Sequence, residues 1–200
     1  LICTDKTGTL TTGIMTPKTI IDGNGNEVDR SSGLWSNIEA NICLNNSATF
    51  DSENHITGGN SIDRAVLSLV TPEKYHKIKD EYKEKLKQVF SSTNKYSAFT
   101  SQDNITYYKG APEKLIEKCD SYLDGENILS LPKDVLDRLN EKIGSMTKNS
   151  MRCIALTYTK EDLTENILPE NMTLLGIIGV VDPVRKEVPE AVKVAHKAGI

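Results

Sequence analysis

The residues richest in chemistry lie at the start of the chain. Asp5-Lys6-Thr7-Gly8-Thr9 follows the apolar run Leu1-Ile2-Cys3. An apolar run that ends in an acid and a Thr/Gly turn reads as a short buried strand leading into a loop. An Asp at the tip of such a strand points its carboxylate out of the sheet, where open α/β folds bind ligands. The Thr hydroxyls and the close-approaching backbone N–H groups suit a phosphate. A second group is Lys109-Gly110-Ala111-Pro112. A strand, a Gly and a Pro at a helix start place a Lys at a strand end beside bare backbone. There Gly110 lets a flat purine come close, and Lys109 can lie along the base or reach a phosphate. Arg152 stands beside the apolar stretch Cys153-Ile154-Ala155-Leu156, where an unpaired charge is costly. A triphosphate would answer it, and so would a carboxylate elsewhere in the fold.

Composition narrows the classes. The chain has 200 residues, 38% hydrophobic and 26% charged, with a net charge of −4. That length supports one or two domains with real cores, and the balance is that of a soluble globular protein. The charge gives no overall attraction for nucleic acid, so a polyanion such as ATP must rely on local Lys and Arg. Cys3, Cys43, Cys119 and Cys153 are far apart, and only three His are present. A zinc site is therefore not expected, and reduced cytosolic thiols are. No apolar run approaches the ~20 residues that span a bilayer, and no signal peptide is expected in this stretch. No Gly-x-x-x-x-Gly-Lys-Ser/Thr occurs, which excludes a P-loop, and Gly23-Asn24-Gly25 is only a turn.

Asp5 to Thr9 resembles the phosphorylation motif of P-type ATPases, ion pumps that pass through an aspartyl phosphate. By that resemblance Asp5 is the nucleophile, within the catalytic stretch Asp5, Lys6 and Thr7. Gly8 and Thr9 hold phosphate oxygens, and Mg²⁺ lies on the Asp5 carboxylate and the Thr7 carbonyl. Related phosphatases of the haloacid dehalogenase type carry a second Asp two places on. Here that residue is Thr7, which cannot do acid–base work near neutral pH, so a long-lived acyl phosphate is implied. Lys109-Gly110-Ala111-Pro112-Glu113 is similar to the family's ATP-pocket motif. Phe90 to Ser97 resembles the segment that stacks a Phe on adenine and turns a basic residue, here Lys95, to the phosphates. Ser92 replaces an Arg frequent in the calcium pumps. Gly59 to Ala65 resembles a segment near the adenine, with Asp63 where Glu is usual and Ile62 where Thr is usual; by that resemblance Asp63 accepts from the adenine amino group. Met151 to Leu156 is similar to the family's Arg-x-x-x-Leu strand, with Arg152 on the phosphates. Asp182-Pro183-Val184-Arg185 matches the hinge motif: Asp182 would position ribose or metal, and Arg185 would bridge nucleotide and hinge. With Val188-Pro189-Glu190-Ala191, this stretch looks most like calcium pumps of the plasma-membrane type.

The elements that must position these residues follow from periodicity and turn chemistry. Strands are expected at Thr19–Ile21, Val89–Phe90, Tyr96–Thr100, Ile105–Lys109, Met151–Tyr158 and Leu174–Val181. Asp22 to Asn26 is a hairpin tip. Helices are expected over Trp35–Leu44, Ile62–Leu69, from Pro72 with a stripe of Tyr75, Ile78, Tyr82 and Leu86, Pro112–Cys119, Lys133–Met146 and Val188–Lys197. The fold class that results is α/β: two pieces of a haloacid dehalogenase-like phosphorylation domain (1–13 and 182–200) flank an inserted α+β nucleotide-binding domain (14–181). The insert is expected to be an antiparallel sheet flanked by helices. The ends read as those of a fragment, so the transmembrane and actuator domains, and the site of the transported cation, are expected in the same parent protein. A soluble phosphatase and a non-catalytic nucleotide-binding module are the competing readings. Thr7 speaks against the first, and the intact Asp5 against the second.

Overall fold

The computed structural model describes residues 3–199. Its frame is a mostly antiparallel sheet with helices on both faces. The chain enters through a tight turn at Lys6–Leu10 and then forms β1 (Thr16–Ile21). Ser32 caps α1 (Gly33–Leu44), accepting from the Leu34 N–H. A small hairpin follows, β2 (Ala48–Phe50) with β3 (Ile56–Gly58), and then α2 (Ser61–Leu67) and α3 (Pro72–Glu81). The meander β4 (Glu84–Gln88), β5 (Tyr96–Ser101) and β6 (Thr106–Gly110) leads into the short α4 (Pro112–Leu115). The hairpin β7 (Cys119–Asp124) and β8 (Asn127–Ser130) precedes α5 (Lys133–Lys148). The chain then runs through β9 (Arg152–Thr159), β10 (Met172–Val181) and α6 (Val188–Lys197).

The sheet runs β4-β5-β6-β9-β10-β7-β8, and β1 also pairs with β10. β10 therefore has two partners on one edge. Its first half lies parallel to β7, and its second half antiparallel to β1. That central place explains the nearly unbroken apolar run of β10, which is buried from Met172 to Val180. Alternation along the strands splits the core in two. Phe99, Tyr107, Leu156 and Ile178 face α1, α2 and α3. Tyr96, Tyr108, Ala155 and Ile177 face α4 and α5. Two buried amides fix α1 to the sheet. Asn41 Nδ2 donates to the carbonyls of Tyr108 (3.0 Å) and Thr157 (3.1 Å). Asn45 Nδ2 donates to those of Ser97 (3.0 Å) and Tyr107 (3.2 Å).

Several expected elements differ. The helix from Pro72 stops at Glu81, because Tyr82 is extended (ψ 117°), and Leu86 lies on β4, paired with Thr100. Val89 and Phe90 are loop, not strand, and both are exposed. Cys119 opens β7 instead of closing a helix. The opening strand falls partly on Leu1 and Ile2, outside the described residues; Cys3 and Thr4 are exposed and in no strand.

Candidate functional site

Most of the predicted nucleotide residues converge on one cavity at the end of β6 and β9. It has a volume of about 540 Å³, and its lining includes Asp63, Phe90, Lys95, Lys109, Gly110, Ala111 and Arg152. They arrive on several different elements. Asn60 caps α2, its Oδ1 accepting from the Ile62 and Asp63 N–H groups at 2.9 Å each, and that first turn delivers Asp63. β6 delivers Lys109 at its penultimate position, and β9 begins at Arg152. The loop after β4 carries Phe90, which is 50% exposed. A core Phe would be buried, so this ring is available to a ligand face.

The polar centre of the cavity is an ion pair. Lys109 Nζ donates to Asp63 Oδ1 at 2.7 Å. The two residues are only 5% and 4% exposed. Burial pushes the Lys109 ammonium down from the usual lysine value of 10.5, and the Asp63 charge and hydrogen bond pull it back up. The other Asp63 oxygen accepts from Asn60 Nδ2 at 3.1 Å. At the rim Lys95 Nζ pairs with Glu113 at 3.3 Å. Arg152 has no ion-pair partner among the described residues and is exposed. The two acids of the lining are thus matched by two lysines, and Arg152 leaves one positive charge over. Such a site favours an anion at the Arg152 end and an apolar or aromatic group near Phe90 and Ile62.

Gly110 serves the fold first. A Cβ there would lie 2.5 Å from the Lys95 carbonyl oxygen and 2.6 Å from the Tyr96 Cβ. Tyr96 is its partner in the ladder, and the Ala111 N–H donates to that same Lys95 carbonyl at 2.9 Å. The absent side chain therefore makes room for neighbouring backbone, where the sequence leads one to expect a purine.

The Asp5 loop lies apart from this cavity. Asp5, Thr7, Gly8 and Thr9 are exposed. Thr7 (φ −77°, ψ 121°) and Gly8 (φ 81°, ψ −13°) make a turn of type II shape, for which Gly8 supplies the positive φ. The Asp5 Oδ1 accepts from the Lys6 N–H at 2.7 Å. The Gly8 N–H, expected on phosphate, donates to Thr11 Oγ1 at 3.2 Å. Lys6 reaches a neighbouring cavity of about 770 Å³, which shares Glu113 and Arg152 with the first.

Asp182 and Arg185 turn to the same loop and line neither cavity. Asp182 accepts from Thr11 Oγ1 (2.7 Å), the Gly13 N–H (2.9 Å) and Thr12 Oγ1 (3.3 Å). The Thr11 hydroxyl, the Gly13 amide and the Thr12 hydroxyl hold its carboxyl below the ordinary Asp value of 3.8. Arg185 donates to the Thr11 carbonyl (3.0 Å) and the Gly8 carbonyl (2.9 Å). Sequence reasoning has Asn60 only as part of a helix cap and Glu113 only as part of a motif; it misses that Asn60 holds Asp63, that Glu113 pairs with Lys95, and that Thr11 joins Gly8 to Asp182. Asn60 before a helical stripe is a legible cap signal; Thr11 has none.

Fold and site define a mixed α/β domain with a part-apolar, part-cationic cleft at the ends of two adjacent strands. The chain belongs to the P-type ATPase family: the model of the family's cytoplasmic domain N matches residues 34–187. It is similar over its whole length to calcium-transporting ATPase 9, plasma membrane-type, of Arabidopsis thaliana, at 30% identity and 21% of that protein. It is 26% identical to calcium-transporting ATPase 1 of Bacillus cereus, covering 24% of it. It is also 26% identical to the sodium/potassium-transporting ATPase subunit alpha-1 of Oreochromis mossambicus, covering 23%. The chain thus spans a fifth to a quarter of the length of these relatives. No helix among the described residues is long and apolar enough to cross a membrane.

Proposed function

We propose that this chain binds ATP in the Phe90–Lys109–Arg152 cavity and carries, at Asp5, the phosphate acceptor of a P-type cation pump. The observation that supports this reading is the convergence of Phe90, Lys95, Lys109 and Arg152, from three separate segments of the chain, on one cavity of about 540 Å³. Phe90 offers a face for the adenine, and stacking of this kind is worth ~1–3 kcal/mol. Arg152, with no ion-pair partner among the described residues, offers a cation that suits a triphosphate. Transfer of the γ-phosphoryl forms a bond from phosphorus to an Asp5 carboxylate oxygen. It breaks the bond to the β,γ-bridging oxygen, and ADP departs with the electron pair. Positioning and charge neutralisation supply most of the catalysis in such a step.

The Asp5 carboxylate and the Thr7 carbonyl would hold Mg²⁺. Both are hard oxygen donors in one turn, which suits an ion that keeps several waters and shares phosphate oxygens. Bound there, Mg²⁺ would neutralise the charge gathering between the two reactants. Thr7 brings no acid or base to the phosphorylated state, so the acyl phosphate persists until other groups hydrolyse it. The names of the relatives support calcium as the transported cation. Residues 1–13 and 182–200 are read as parts of a haloacid dehalogenase-like phosphorylation domain, and 14–181 as the nucleotide-binding domain. The transmembrane and actuator domains, with the cation site, are placed in the parent protein, and this chain on its cytoplasmic side.

The test is an NMR titration with ATP of wild type, Lys109→Ala and Phe90→Ala. Binding in the sub-millimolar to millimolar range, weakened in both variants, is the expected result. No binding by wild type, or equal binding by the variants, overturns the assignment.

A further inference from the structure

We propose that Asp63 does not touch the nucleotide but is a positioning residue that acts through Lys109, so that the pair presents a held ammonium and no free carboxylate to the ligand. The inference rests on the ATP-site reading above and revises one residue of it, the acid expected on the adenine amino group. Both oxygens of the buried Asp63 carboxylate have partners within the fold: Oδ1 takes Lys109 Nζ at 2.7 Å, and Oδ2 takes Asn60 Nδ2 at 3.1 Å. Asn60 is itself fixed as the α2 cap, and Asn46 Nδ2 donates to the Asp63 carbonyl at 3.2 Å. The acid is therefore held by the fold through both carboxylate oxygens and its own backbone.

Lys109 is placed differently. An ammonium has three donors, and among the described residues its one hydrogen bond goes to Asp63. The pair as a whole offers N–H donors. Donors suit ring nitrogens, a 6-oxo group or phosphate oxygens; a 6-amino group needs an acceptor. The Asp at this position also has one methylene less reach than the Glu that the resemblance leads one to expect. The short side chain stops at Lys109. The other charged groups near Lys109 are Lys87 of β4, whose repulsion disfavours the ammonium, and Lys95, Glu113 and Arg152 around the cavity. Asp63 supplies the charge that keeps the ammonium in a buried place.

A double-mutant cycle on ATP affinity tests this, using wild type, Asp63→Asn, Lys109→Met and the double variant. Folding is checked by heteronuclear NMR spectra. Asp63→Asn alone is expected to weaken ATP by about tenfold, the scale of one charge-assisted hydrogen bond made by Lys109. On the Lys109→Met background the same change is expected to cost nothing, because the residue it acts through is gone. A further fall beyond about threefold on that background would mean direct contact with the nucleotide and overturns the proposal. Asp63→Asn leaves a buried ammonium unpaired and can fail to fold. The comparison of Lys109→Met with the neutral double variant then decides alone, since replacing both charges avoids that penalty. A pH series separates positioning from plain structural support. In Asp63→Asn the attraction that favours the ammonium is removed while burial and Lys87 remain, so its proton is lost at lower pH and ATP affinity falls more steeply with rising pH than in wild type. A parallel slope overturns the proposal. Failure of wild type to bind ATP would instead sink the site assignment itself, an outcome distinct from either result of the cycle.

Discussion

At the scale of single residues, the same carboxylate chemistry does different work at Asp63 and Asp182. Asp63 is buried and answers a buried cation; Asp182 is a hub near the surface for three donors of the opening loop. The direction of the Asp182 shift gives a pH prediction. Its carboxyl is held below 3.8 by Thr11, Gly13 and Thr12. A lowered folded-state value means the ionised form is favoured in the fold. The stabilisation is therefore present above the unfolded Asp value and is lost as pH falls through the folded one. Amide exchange at Gly13 is expected to stay slow down to that unfolded value and to accelerate only below it. In Asp182→Asn the protection is expected to be lower already at neutral pH. Equal Gly13 protection in both proteins at neutral pH would show that the carboxylate does not hold the loop. Of the candidate residues, Lys109 and Arg152 are marked locally, by a strand end and by a charge beside an apolar strand, whereas Phe90 and Lys95 are reached only through the family resemblance. The partner of Asp63 is not legible, because it lies 46 positions away and meets Asp63 only when the first turn of α2 comes beside the end of β6.

At the scale of elements, the site depends on how closely β5 and β6 approach at their open end. Gly110 allows the approach: a Cβ would meet the Lys95 carbonyl at 2.5 Å and Tyr96 at 2.6 Å. Lys95 already sits at a positive φ of 63°, which leaves its backbone little room to yield. Gly110→Ala is expected to destabilise the fold by about 1–3 kcal/mol, as overpacking against rigid backbone does. The measurement is the midpoint of urea unfolding, and an unchanged midpoint would contradict the packing argument. The elements most legible in the sequence are those with a strong local period. β10 reads as a fully buried strand, and α5 and α6 as amphipathic helices. The Pro72 stripe misleads because Tyr82 and Leu86 continue its spacing by accident. Pairing of Glu84–Gln88 with β5 outweighs that local preference. The β7–β8 hairpin has a turn signal in Asp124-Gly125. Its second strand is exposed throughout, however, and so lacks the apolar alternation by which strands are recognised.

At the scale of the whole molecule, the segments before β1 and after β10 form one unit. The Thr12 N–H donates to the Pro183 carbonyl at 2.9 Å, and the Arg185 N–H to the Leu10 carbonyl at 3.0 Å. With the Arg185 side chain on Gly8 and Thr11, they extend the β1–β10 ladder past its last pair, Thr16 with Val181. The Asp5 turn is thus anchored beyond the end of β10 where Val180 pairs with Arg152, the same end of the sheet at which the Phe90–Lys109–Arg152 cavity opens. Asp5 lines neither that cavity nor its neighbour, although Lys6 reaches the second. Phosphoryl transfer needs the reacting atoms ~3–3.5 Å apart and in line, which this arrangement does not provide. The chain also spans only a fifth to a quarter of the length of these relatives. With saturating ATP and Mg²⁺ this chain alone is expected to bind nucleotide and to leave Asp5 without acid-stable, hydroxylamine-labile phosphate. Steady Mg²⁺-dependent phosphate release above a heat-killed control, abolished in Asp5→Asn, would show instead that Asp5 and the cavity already meet. In Arg185→Ala the opening turn is deprived of two tethers, but every residue around the cavity stays in place. ATP affinity is then expected to stay within about twofold of wild type, as for sites with no shared partners, while exchange at the Gly8 and Thr11 amides speeds up. A large fall in ATP affinity would mean that the segment carrying Arg185 and the cavity are one coupled unit.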